Sequence, residues 1–221
     1  MPDLNFKIEG AEVVKFSASP QIAFKLAVVN ADPTETIHSV ALRCQIQIEV
    51  TRRRYTQEDQ EKLRDLFGDV DRWSQTLRNL LWTHVNVNVP PFRGSTTVDL
   101  PVPCTFDFNV GATKYFHGLG DGDVHLCVMF SGTVFYAAEG EAMQVSPISW
   151  SKEARFALPV KIWRDMMDAY YPNTAWLCLR RDIFERVYEY KVRHGIPSWE
   201  QALESLLQAE EAAVTEETVH S

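Results

Sequence analysis

The chain lacks most of the features that would assign it to a class at once. No apolar run approaches the ~18 residues that a membrane helix needs. The opening Met1-Pro2-Asp3-Leu4 has no basic n-region and no apolar h-region, so we expect no secretory signal. Cysteine is scarce: Cys44, Cys104, Cys127 and Cys178 are scattered among 221 residues, and no two stand at C-x-x-C spacing. Each lies in an apolar stretch and reads as a small hydrophobe, which fits a reducing, cytoplasmic compartment. Basic charge is in deficit, with 22 Lys and Arg against 30 Asp and Glu, a net charge of −8. That balance argues against non-specific binding to a phosphate backbone, so no nucleic-acid partner is expected. There is no internal repeat and no low-complexity linker.

Catalytic signatures are missing too. Phe130-Ser131-Gly132-Thr133 is not the G-x-S-x-G elbow. Gly118, Gly120 and Gly122 have the wrong spacing for a dinucleotide fingerprint and precede a strand. No H-E-x-x-H and no P-loop occurs. We therefore expect a non-enzymatic protein without a cofactor.

What is present is a globular composition, 45% apolar and 11% aromatic. Val40, Leu42, Cys44, Ile46, Ile48 and Val50 alternate with more polar residues, the period of a half-buried strand. Ile22 to Val29 is denser and suggests a strand covered on both sides. Trp82 to Val89 alternates again and stops at Pro90-Pro91. Thr96–Leu100, Thr105–Val110, Val124–Tyr136, Met143–Ser146 and Arg155–Leu158 supply further strands, with a bulge or bend expected at Ser131-Gly132. Short strands between turns, with prolines at the edges, indicate a mainly β, antiparallel β-sandwich, immunoglobulin-like or related.

One helix is expected inside the sheet order, near 57–67, capped by Thr56 and ended by Gly68. A short helical piece around Trp73 to Leu81 is possible. Past Pro159 the period becomes helical. Ile162, Trp163, Met166, Met167 and Tyr170 share one face, and Ile183, Phe184, Val187 and Tyr188 repeat the pattern. Gly195 suits a C′ position, and Ser198 with Gln201 matches a capping box for a third helix that buries Trp199, Leu203, Leu206 and Leu207. The expected organisation is a sandwich over 1–158, a helical extension of the same domain over 159–209, and an acidic flexible tail over 210–221. From Glu200 onward there are six acidic residues and no Lys or Arg.

Three groups of residues are candidate sites. His117, Asp121, Asp123, His125 and Cys127 form the densest polar cluster, and His125 and Cys127 would share a strand face, as two ligands of a zinc-like ion do. A glycine-rich hairpin with polar residues at its tip explains the same segment. Asp121-Gly122-Asp123 begins like a calcium loop, but the twelfth position is Gly132 and supplies no carboxylate. Arg52-Arg53-Arg54-Tyr55 can meet an anion, yet Glu58, Asp59 and Glu61 follow, so a solvated strand end with ion pairs is the better reading. Trp73, Trp82, Phe92, Tyr115 and Phe116 flank loops or strand ends, either as ordinary core or, with Arg93, as an aromatic surface for a protein partner.

Several stretches resemble one uncharacterised bacterial family, a domain of unknown function. They are Arg72-Trp73-Ser74-Gln75-Thr76-Leu77 with Leu81-Trp82-Thr83-His84, Phe92-Arg93-Gly94-Ser95-Thr96 with Leu100-Pro101-Val102-Pro103-Cys104-Thr105, and Phe130-Ser131-Gly132-Thr133-Val134-Phe135-Tyr136. Lys114-Tyr115-Phe116, Tyr171-Pro172, Trp176 and Gly195-Ile196-Pro197-Ser198-Trp199 fit the same pattern. The family's genes often lie near those of nickel–iron uptake hydrogenases. The resemblance thus implies an accessory, assembly or interaction protein whose partner is a hydrogenase subunit or maturation factor. The family pattern is expected to carry a proline where His125 stands, which makes His125 and Cys127 local variation. Two other readings stay open: a metal-binding or metal-delivering module built on the 117–127 cluster, and a hydrolase or carbohydrate-binding sandwich with a cleft.

Overall fold

The computed structural model describes residues 1–105, 110–137, 142–172 and 179–219, with backbone only at 110 and 212–219. Packing divides the chain after Thr174 into two compact units, Met1–Thr174 and Ala175–Ser221.

The first unit is a sandwich of two antiparallel sheets. β1 (Leu4–Val13), β2 (Gln21–Asn30) and β6 (Ser95–Pro103) form a three-stranded sheet in the order β1-β2-β6. The second sheet has six strands. Its path runs β4-β3-β7-β8, where β3 is Thr36–Ile48, β4 Leu80–Val89, β7 Asp123–Ala137 and β8 Met143–Pro147. The short β5 (Phe92–Arg93) pairs with β3, and β9 (Glu153–Pro159) pairs with β7.

Alternation in β3 is as regular as its sequence: Val40, Leu42, Cys44, Ile46 and Ile48 are buried and Ala41 and Arg43 exposed. They meet Leu26, Val28, Leu100 and Val102 of the other sheet in one continuous core. Phe6 of β1 stacks on Phe130 of β7 at 4.3 Å, and Phe24 of β2 meets Trp82 of β4 edge-on at 6.1 Å. β2 is densely buried only at its start, over Ile22, Ala23 and Phe24, and by Val29 it is exposed. In β4 the pairing with β3 slips between Ile46 and Gln47, leaving Trp82 as an extra residue. That bulge lets Trp82 and Val85 both point inward, although they are an odd number apart.

β7 runs unbroken through Ser131-Gly132, with its register to β3 intact there. Gly132 instead marks a change of neighbour: residues 123–129 pair with β9 and 133–137 with β8. Its φ is +140°, and a Cβ there would lie 2.1 Å from the Ala41 carbonyl oxygen. Only glycine permits this approach.

Helices depart further from the sequence reading. The expected helix over 57–67 is split at Leu63 into α1 (Gln57–Lys62) and α2 (Arg64–Phe67), and α3 is a single turn, Trp73–Thr76. α4 (Val110–Gly118) replaces the expected strand end and hairpin; residues 106–109 of the expected strand lie outside the described residues. Ala112, Tyr115, Phe116 and Leu119 are buried at i, i+3, i+4 and i+7, the helical period that two flanking glycines obscure in the sequence. α5 (Val160–Tyr170) buries Val160, Trp163 and Met166, and Trp163 stacks on Phe116 at 5.5 Å. α5 belongs to the first unit.

The second unit is a helical hairpin. α6 (Arg181–Arg193) ends at Gly195, φ +64°, and α7 spans Trp199–Val219. Ile196 N–H donates to Lys191 O at 3.0 Å and Gly195 N–H to Val192 O at 3.1 Å, a Schellman closure. Gln201 N–H donates to the Ser198 hydroxyl at 3.2 Å, which caps α7. The expected acidic tail is helical as far as Val219. The expected buried face is also corrected. Ala202 is buried and Leu206 half-buried, whereas Trp199, Leu203 and Leu207 are exposed.

Candidate interaction surface

The aromatic candidates are core. Trp73, Trp82, Phe92 and Tyr115 are between 1% and 8% exposed, and Phe116 is buried with them. Trp73 donates its indole N–H to Gly68 O at 3.0 Å, and the Tyr115 and Tyr55 hydroxyls meet at 2.9 Å. The polar ends of Trp73 and Tyr115 are satisfied internally and Trp82 packs on Phe24 and Phe116, so these buried side chains offer no surface to a partner. Arg93 alone of that group is exposed, its Nε donating to Thr36 Oγ1 at 2.8 Å.

The metal candidates do not converge. His117 is exposed on α4, Asp121 and Asp123 are exposed at the turn into β7, and His125 and Cys127 follow on the strand. Cys127 is buried, with Sγ 3.7 Å from a Glu153 oxygen, and burial followed by the charges of Glu153 and Glu49 raises its thiol. Among the described residues no three His, Cys, Asp or Glu side chains are grouped to hold an ion. The carbonyls of the turn are already occupied by cations. Arg53 Nη1 donates to Asp123 O at 2.8 Å and its Nη2 to Asp121 O, while Arg164 Nη2 donates to Leu119 O and Gly120 O.

That turn is fastened by a pair the sequence reading left in solvent. Arg53 is nearly buried, and its Nη2 lies 3.7 Å from Asp59 Oδ2. Asp59 is 1% exposed. It accepts from Gly120 N–H at 2.7 Å and Thr56 N–H at 3.1 Å, closing a capping box in which its own N–H donates to Thr56 Oγ1 at 3.1 Å. Burial alone would raise the Asp59 carboxyl, but those hydrogen bonds and the Arg53 charge outweigh it and hold the group below its ordinary value. The cluster is structural, joining α1 to the α4–β7 turn.

The buried thiols are inert. Burial pushes Cys44 and Cys104 up to about 12, far from the thiolate that redox or metal chemistry requires. Cys178 and Trp176 lie outside the described residues.

The surface that does stand open is the β8 edge. β8 ends the strand path of the larger sheet, so its outer backbone groups have no strand partner among the described residues. Its side chains are inverted: Ser146 is buried, whereas Met143 is 67% and Val145 58% exposed, and Trp150 just beyond is 91% exposed. Gln144, also exposed, accepts from the hydroxyl of its cross-strand partner Tyr136 at 2.9 Å. Beside them lies a groove of about 500 Å³ lined by Pro2, Leu4, Val134, Pro147, Ile148 and Trp150. Its charged side chains, Asp3 and Lys152, pair with each other at 2.6 Å, and its lining holds no histidine or cysteine to activate Ser149. Sequence reasoning found β8 as a strand but not its phase, and passed over Trp150, a tryptophan between two serines in a loop opened by proline.

A second groove, of about 520 Å³, lies on the helical unit, lined by Ile183, Arg186, Val187, Tyr190, Arg193 and Leu206. No helix among the described residues is long and apolar enough to cross a membrane. No curated protein matches the chain. The model of a family of unknown function, DUF6084, matches residues 1–215, and the chain belongs to that family.

Proposed function

We propose that this protein is a non-catalytic interaction protein that docks a partner protein on the β8 edge and the groove beside it. The carrying observation is the inverted strand, with Met143 and Val145 in solvent, followed by the exposed Trp150 on the wall of a largely apolar groove. Soluble proteins ordinarily blunt an edge strand with charge or cover it. β8 has no charged residue, and it adjoins a tryptophan, the side chain most enriched at binding hot spots. An open edge with apolar side chains suits an extended segment that adds as a strand, its alternate side chains entering the groove. The family resemblance names the first partner to test, a subunit or maturation factor of a nickel–iron hydrogenase.

Affinity capture at native expression tests the reading. Wild-type protein should recover a hydrogenase-related partner, and Trp150→Ala with Val145→Lys should lose it while melting at the wild-type temperature. Equal capture by the variant removes the edge as the docking site. Unchanged hydrogen uptake after deletion of the gene removes the hydrogenase.

A further inference from the structure

We infer, resting on the docking reading just given, that the docked segment is an uncharged extended strand of the partner, antiparallel to β8, with one large apolar side chain seated over Ser146. The ladder fixes which backbone groups of β8 are free. Ile148 N–H donates to Gly132 O at 2.9 Å, and the same register sets Ser146 opposite Val134 and Gln144 opposite Tyr136. In an antiparallel ladder, residues that exchange hydrogen bonds alternate with residues that do not. Gln144 and Ser146 therefore bond to β7, and Met143, Val145 and Pro147 turn their backbone groups outward. Proline has no N–H, so the edge offers the N–H groups of Met143 and Val145 and the carbonyls of all three. A helix or an apolar face laid on this row would strip its water and return no hydrogen bond, whereas a strand satisfies every group.

Side chains narrow the choice. β9 lies along the same side of β7, but Glu153 and Arg155 stand exposed on it and pair at 3.0 Å, the kind of charge that blunts an edge. β8 carries none, so docking is confined to Met143–Pro147. The pleat sends alternate residues of a docked strand to opposite faces. Those opposite Met143, Val145 and Pro147 lie with them on the outer face of the sheet. The residue opposite Ser146 faces inward, where Ser146 is buried beside Val134 and the groove wall of Leu4, Val134 and Ile148 begins. Ser146 is the smallest side chain of β8, which leaves room for a large apolar one. The groove's charged side chains, Asp3 and Lys152, neutralise each other at 2.6 Å, so neither is left to attract a charged residue. A second copy of β8 fits poorly: turned antiparallel about Val145, it sets Gln144 over Ser146 and leaves the groove without an apolar side chain.

The probe is a fluorescent peptide, Lys-Thr-Phe-Val-Thr-Val-Lys, titrated with the full chain and followed by anisotropy. Its phenylalanine is the residue set opposite Ser146 and its first valine the one set opposite Val145. Replacing the phenylalanine by serine should weaken binding about tenfold or more. N-methylation of the first valine, which removes its hydrogen bond to Val145 O, should do the same. N-methylation of the phenylalanine, whose N–H points away from β8, should change binding by less than about threefold. Val145→Lys should bind about tenfold or more weakly at the wild-type melting temperature, and if it does not fold the N-methyl pair decides. Amide exchange supplies a second readout: Met143 and Val145 should exchange fast in the free chain and slowly with the peptide, whereas Gln144 and Ser146 should be slow in both. Binding that is indifferent to which residue is N-methylated overturns the inference, as does peptide binding without slowing at Met143 and Val145. A chain that binds none of these peptides, yet captures its partner in a way that Trp150→Ala with Val145→Lys abolishes, overturns the strand and keeps the docking reading. Capture that survives those two substitutions removes both.

Discussion

Asp59 is a buried carboxylate whose hydrogen bonds and guanidinium partner make the charged form the stable one in the fold. Removing one partner of such a pair strands the other, so Asp59→Ala should cost about 3 kcal/mol. Its pH signature follows from the depressed carboxyl. The unfolded chain binds this proton more readily than the folded one, so the contribution is complete above the ordinary carboxylate range and fades as pH falls through the lower folded value. Urea midpoints of wild type should fall over that acidic window, and those of Asp59→Asn should lack this part of the fall; parallel curves would refute the assignment. Gly132 makes the same point sterically. Gly132→Ala meets the Ala41 carbonyl in an unfavourable φ and should lose about 3 kcal/mol or more. Gly10→Ala, with nothing within 4 Å of its new Cβ, should stay within about 0.5 kcal/mol. Neither Arg53 nor Gly132 is decisive in the sequence, because the partner of each lies on another element.

Elements were legible where one physical signal acted alone. β3 has one buried face from Val40 onward, past the irregularity between Ile37 and Ser39, and over that stretch its alternation survives intact. β4 carries a bulge at Trp82, so its period breaks at the residue that matters most. α4 shows how glycine misleads: Gly111 and Gly118 bracket a helical set of buried residues that reads as turn. β8 was legible as a strand, but its phase was not. Alternation gives a strand two faces without saying which is inside, and a short edge strand has too few neighbours to fix its phase. The helical hairpin was found by its caps, but its buried face was assigned to the largest apolar residues, and it is Ala202 that is sealed. Its closure is testable. Gly195 sits at φ +64° with two Schellman hydrogen bonds, so Gly195→Ala should cost about 1 kcal/mol, seen as an earlier loss of helical ellipticity on heating.

At the scale of the whole molecule, the fold class came from counting strands, but the division of aromatic residues between core and surface came only from the structure. Trp73, Trp82, Phe92 and Tyr115 close the sandwich and its α4 flank, while Trp150, and Phe184, Tyr188 and Trp199 of the helical hairpin, are exposed. On the proposed reading, stability and recognition reside in different aromatic side chains. One measurement compares them directly: thermal or urea stability and partner capture on Trp82→Ala and Trp150→Ala side by side. Trp82→Ala should lose about 3–5 kcal/mol through the cavity it leaves. Trp150→Ala should stay within about 0.5 kcal/mol of wild type and still fail to hold the partner. A Trp150→Ala protein that binds as wild type does would contradict the account.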